Sequence, residues 1–180
     1  SCYSWHTVWN KLYSRQLIER CYDVFDRIQE HIIMTEDICF SSVFFYEADR
    51  VSRITEEAYF YCANETASTS TSRITMKKFL KNITDMTVVF NAVDRFLAGR
   101  GASEKLRGHF SNARCHYVRM WQNLLDTTFE GETHTEGQQA LDSFGTVPSM
   151  DHVRDDFFFE TIRTPWNGAL EYFKERIATG

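Results

Sequence analysis

The chain has 180 residues and a formal net charge of −5, and its length calls for one domain, 1–180. No Lys/Arg block or stripe occurs in it, which argues against nucleic-acid binding, and its longest apolar run, Phe157 to Phe159, is far too short to span a bilayer. Only two prolines and eight glycines interrupt long stretches of helical period, and aromatics at 15% suffice to line a large apolar cavity as well as to fill a core, so the expected class is all-α.

In chain order, residues 5–33 read as one helix, or as two joined at a bend near Ser14. Val8, Trp9 and Leu12 make one face; Ile18, Cys21, Tyr22, Phe25, Ile28 and Ile32 continue a stripe at 3/4 spacing. Thr35 to Asp37 interrupt with helix-capping residue types, and Ile38, Cys39 and Phe40 read as an apolar turn before Phe44, Phe45 and Tyr46. Residues 47–71 form an enlarged loop region in which part of 49–62 is helical, and 66–72 is a polar low-complexity stretch.

The clearest helix is 73–97. Phe79, Ile83, Met86, Phe90, Val93 and Leu97 repeat at alternating steps of four and three, with Lys77, Lys78, Lys81, Asp85 and Asp94 off that stripe. Gly99 and Gly101 stop it. Ser103 caps a short helical turn through His109, with Glu104 in the first turn. After a break, a second pattern at 115–129 carries Val118, Trp121, Leu124, Leu125 and Phe129. Gly131, Gly137, Gly145 and Pro148 stand among polar residues, so 130–149 reads as a second enlarged loop. Thr164 and Pro165 open a last helix at 165–178, with Trp166, Ala169, Leu170, Phe173 and Ile177 on one face, and 150–163 is a candidate for one more helix before it.

The five cysteines, Cys2, Cys21, Cys39, Cys62 and Cys115, are odd in number and form no C-x-x-C pair. That argues against a zinc site or a complete disulfide framework and for reduced thiols in a cytoplasmic protein. No leader pattern opens the chain. Two acceptor patterns for N-glycosylation, Asn64-Glu65-Thr66 and Asn82-Ile83-Thr84, point the other way, towards secretion. Cys115 has Arg107, Arg114 and Arg119 near it in sequence, so it is a candidate redox thiol or simply a packed one. No metalloprotease helix motif, phosphate-cradling glycine loop or G-x-S-x-G elbow occurs. The neighbouring carboxylates Glu56 and Glu57, and Asp155 and Asp156, diverge on a helix and read as solvated faces.

Taken in order, these features resemble those of animal globins, including divergent nematode ones, over nearly the whole chain. The run from Ala169 to Ile177 resembles the last globin helix. Phe79 to Met86, followed by Val93, Asp94, Phe96 and Leu97, is similar to the helix that crosses the distal side of the haem. Leu106-Arg107-Gly108-His109, leading to Trp121, looks like the proximal-histidine segment. The resemblance implies a globin-like fold with enlarged loops at 47–71 and 130–149, holding haem b (iron protoporphyrin IX).

In that resemblance His109 is the proximal iron ligand, its second ring nitrogen donating to the carbonyl of Lys105 or Leu106, and His116 is the runner-up. Phe40 packs on the porphyrin, and Phe25, Met86, Val118 and Trp121 line the pocket. Arg107, Arg114 or Arg119 pairs with the propionates. The distal position holds Asn82, or Ile83 after a shift of one, where many globins have histidine or glutamine. The implied function is binding or sensing of a diatomic gas (oxygen, carbon monoxide or nitric oxide), or one-electron redox chemistry with a redox partner, in a monomer or homodimer. Two expectations compete with it. One is a secreted, glycosylated four-helix cytokine-like signalling protein with one or two disulfides. The other is a globin fold without haem that serves as an interaction module. In the plainest reading His109 is an ordinary surface histidine and the 79–97 stripe is core.

Overall fold

In the computed structural model the described residues are 7–9, 11–52 and 74–145. Every regular element among them is a helix: α1 (Arg15–Asp26), α2 (Glu36–Glu47), α3 (Met76–Gly99), α4 (Glu104–Thr128) and α5 (Gly131–Phe144). The all-α expectation holds. The expected last helix at 165–178, the segment 150–163 and most of the 47–71 loop lie outside the described residues, as do Cys2, Cys62 and Asn64.

Helix α3 is the centre: α2 packs on it, α4 and α5 pack on it and on each other, and α1 packs on α2. Its start and stop follow local chemistry. The Thr75 side chain accepts from the Lys78 amide, and Gly101 takes a left-handed φ of 66° just beyond the helix. The stripe Phe79, Ile83, Met86, Phe90, Val93 and Leu97 is buried throughout. Asp85, expected off that stripe, is only 1% exposed. It accepts from the Ile33 amide at 3.1 Å and pairs with Lys81, whose ammonium also donates to the His31 carbonyl at 2.7 Å. The irregular segment after α1 is thereby tied to α3, which periodicity on one helix does not reveal.

Four boundaries differ from the sequence expectation. The stretch expected as one helix, or as two joined near Ser14, is helical among its described residues only over α1, which Ser14 caps by accepting from the Leu17 amide at 3.2 Å. Leu12, expected on its apolar face, lies before the cap and is 97% exposed. The apolar turn at Ile38–Phe40 is instead the first half of α2, with Ile38, Cys39, Val43 and Phe44 buried. Thr35 precedes α2 in a left-handed conformation (φ 66°) without a side-chain cap.

The other two matter more for the site. The break expected after His109 does not exist: α4 runs unbroken from Glu104 to Thr128. Ser103 caps it as expected, accepting from the Leu106 amide at 3.3 Å. The loop expected at 130–149 is helix α5 over most of its length. Its glycines look like loop signals, but Gly137 is buried at a helix crossing. A Cβ there would lie 2.3 Å from Leu125 Cδ1 and 3.4 Å from both Met76 Cε and Phe79 Cε1. The glycine is what allows α5 to lie this close to α3 and α4, and Leu141 and Phe144 complete its buried face.

Gly137→Ala is therefore expected to destabilise the fold by about 1–3 kcal/mol, because Leu125 is fully buried and has little room to move. Chemical denaturation of the two proteins measures it. An unchanged or raised stability would mean that the crossing is looser than this packing.

Candidate functional site

His109 and His116 are two turns apart on one continuous helix, on the flank of α4 beside its buried stripe of Leu106, Phe110, Ala113, Val118, Trp121 and Leu125. Both imidazoles are held below the ordinary histidine range by burial first, and then by a positive neighbour: Lys105 for His109 and Arg119 for His116. The His109 Nε2 is buried with no hydrogen-bond partner. The expected bond from its ring to the Lys105 or Leu106 carbonyl is not formed. A neutral imidazole with an unpartnered nitrogen is the form that ligates a metal. Among the described residues no group of three His, Cys, Asp or Glu side chains stands close enough to hold an ion.

The other residues expected around haem are in the core, but they do not converge on His109. Phe90 of α3 lies against Phe110 of α4 with ring centroids 5.0 Å apart, and Phe79 lies against Trp121 at 5.3 Å. Both contacts belong to one antiparallel register, which sets His109 level with Asn91, and Asn82 level with Val118. His109 and Asn82 are thus offset by roughly 13 Å along the helices. Met86, Ile83, Val118 and Trp121 are all buried in the core. Phe25 and Phe40 meet in a tilted contact, ring centroids 4.7 Å apart, between α1 and α2, which pack mainly on each other and, through α2, on α3. Aromatic rings occupy the α3–α4 interface, so a porphyrin does not fit between these helices as they are packed.

Of the three arginines offered for the propionates, Arg114 has protein partners. Arg114 donates to the Phe144 carbonyl at 2.9 Å, to Asn91 Oδ1 at 3.0 Å and to Asp94 Oδ2 at 3.3 Å, and its guanidinium lies 4.9 Å over the Phe144 ring. One side chain therefore joins α3, α4 and the end of α5. The indole N–H of Trp121 is buried without a partner, a second orphaned group in this core.

Two features bear on secretion. Asn82, the acceptor of one glycosylation pattern, is 3% exposed on the inner side of α3, so a glycan has no room there in the folded chain. Cys21, Cys39 and Cys115 are free thiols. Burial pushes Cys39 up to about 12, and burial with Glu47 nearby pushes Cys21 up to about 11, so both are inert packing residues. No disulfide or membrane-crossing helix occurs among the described residues.

The feature that sequence reading missed is on the surface. Tyr22 is 64% exposed and Ile18 42%, one turn apart on the outer side of α1. Half-buried Phe25 and Phe40 continue this face inward, and Leu12 stands out just before the helix cap. In the sequence these residues are part of a core stripe. The signal that separates them is the width of the stripe: α2 covers only Leu17, Cys21 and their neighbours. Elsewhere, a solvent-open depression on α5 is lined by Gly131, Glu132, Thr135, Glu136 and Gln139. It lies at the end of α4 away from His109, because His134 of the same helix bonds Asp126 at 2.9 Å.

No protein-family model, no curated protein and no solved structure matches the chain. Functional assignment therefore rests on its own residues.

Two outcomes are expected. Arg114→Met removes the link among three helices and should cost about 1–2 kcal/mol, a value kept small because the side chain is partly solvated; a thermal melt reads it, and an unchanged midpoint would show the link to be redundant. Because the folded state holds His109 and His116 neutral, their contribution is intact above the unfolded histidine value of about 6.5 and is lost as pH falls below it. The melting temperature should fall between about pH 7 and pH 5.5, and fall less in the His109→Gln/His116→Gln double variant. Equal slopes in the two proteins would remove these histidines from the account.

Proposed function

We propose that this chain is an all-helical interaction module, filled by its own side chains and acting through the outer face of α1. The observation that supports it is the exposure of Ile18 and Tyr22, one turn apart on α1, with Leu12 exposed just ahead of the helix cap. Exposed apolar residues one turn apart on a helix, flanked by charge, here Arg15, Glu19 and Asp26, suit a binding surface. This is the interaction-module expectation without any requirement for a cofactor. The cytokine-like reading has less support, because one of its two glycosylation patterns is buried.

A second reading keeps haem, and the unpartnered, neutral His109 nitrogen supports it. When bound, haem would supply gas binding or one-electron redox chemistry. It would have to be held elsewhere than between α3 and α4.

Two experiments separate the readings. The first is a visible spectrum of the purified and haemin-reconstituted protein, oxidised, reduced and with carbon monoxide. The module reading expects no haem band to survive gel filtration. A retained band that shifts with carbon monoxide and is lost in His109→Ala would favour haem. The second is a photo-crosslinking residue placed at Tyr22 in the native extract. It should give discrete adducts that the same residue at Glu132 does not; equal labelling at both positions would sink the module reading.

A further inference from the structure

We propose that the occupant of the α1 face is a second copy of this chain, the two α1 helices packing antiparallel across a two-fold axis. The proposal rests on the interaction-module reading and names the partner. Its basis is the self-complementarity of the face. Ile18 and Tyr22 are the two exposed apolar residues of α1, one turn apart. An antiparallel crossing centred between them seats each Ile18 on the Tyr22 of the other copy, so that one pair of residues closes both halves of an isologous contact.

The charges at the two ends of the helix fit that crossing. Arg15 and Asp26 are about three turns apart and so lie on the same side of α1, next to the Ile18–Tyr22 stripe. Both are exposed, Arg15 at the start of the helix and Asp26 at its end. The antiparallel register brings Arg15 of each copy opposite Asp26 of the other, once at each end of the contact. A parallel crossing would set Arg15 against Arg15 and Asp26 against Asp26, so charge selects the antiparallel one. Arg15 already turns to Glu19 within its own helix at 2.7 Å, an exposed and therefore weak pair that leaves it able to reach across.

Apolar surface beyond the helix agrees. Leu12, which touches almost nothing in its own chain, precedes the helix start, and in this register it falls opposite the helix end of the other copy. There Phe25 and Ile28 are only partly covered. Leu12 would complete their burial and exchange an exposed leucine for a packed one, which burial of apolar area favours.

Sedimentation velocity of the purified full chain over a concentration series tests this. The expected result is a reversible monomer–dimer equilibrium. Leu12→Glu and Tyr22→Glu should each shift it strongly to monomer, with helicity unchanged by circular dichroism because both side chains are mainly in solvent. Arg15→Asp and Asp26→Arg should each weaken the dimer roughly tenfold, and the two together should restore it. Monomer at every concentration overturns the proposal, as does a dimer indifferent to all four changes. A Tyr22 photo-crosslink to residues 146–180 of the same chain also overturns it, since the face is then covered from within. The module reading fails separately: it survives a monomeric result if Tyr22 still gives intermolecular adducts in the extract, and falls with the dimer if it gives none.

Discussion

The aromatic junction around Phe90 sets the geometry of the described structure. Its ring is fully buried in α3 and meets Phe110 and Tyr117 of α4 at 5.0 and 5.5 Å, and Phe144 of α5 at 5.5 Å. Rings of this size bury large area and accept only a few mutual orientations, so one contact from each helix is enough to fix its register. Arg114 covers the junction from the solvent side, where its hydrogen bonds to Asn91, Asp94 and the Phe144 carbonyl keep the α5 end in place. Gly137 does the same work at the middle of α5 by having no side chain where Leu125 needs the room.

That packing decides what the interior can do. A cofactor slot between α3 and α4 needs the two helices to be held apart, whereas ring-to-ring contact draws them together at both Phe90 and Phe79. The same register carries His109 away from Asn82 and Met86. His109 is left on the flank of a continuous helix, neutral, with one nitrogen unpartnered. Its burial without a bond is unfavourable to stability. Among the described residues it is a buried, unpartnered nitrogen of a type that can ligate a metal.

The surface has its own uneven feature. Among the described residues, Ile18 and Tyr22 are left in water one turn apart on α1, and Leu12 is exposed just before that helix. Elsewhere the polar surface is arranged in local pairs, such as Arg27 with Asp23 and the reciprocal amides of Gln122 and Gln138, which bring no apolar area with them. The α1 face is where burial has most still to gain, and its charges are ordered so that a copy of itself is a fitting partner.

Much of this was legible in the sequence alone. The all-α class, the α3 stripe, the Ser103 capping position and the stop at Gly101 follow from local rules, because a periodic stripe and a capping hydroxyl act within one turn of their own helix. Tertiary structure decided the rest. Gly137 and Gly145 read as loop residues, but α5 is helical because a close crossing rewards the absence of a side chain at Gly137. The stretch after His109 reads as a break, but α4 continues through it because Phe110 and Ala113 are packed. Asp85 reads as solvated, but a distant amide at Ile33 needs its carboxylate. Whether Ile18, Tyr22 and Asn82 face core or solvent depends on how wide a face the neighbouring helix covers, and that width is a property of two elements together, which no single stretch of sequence contains.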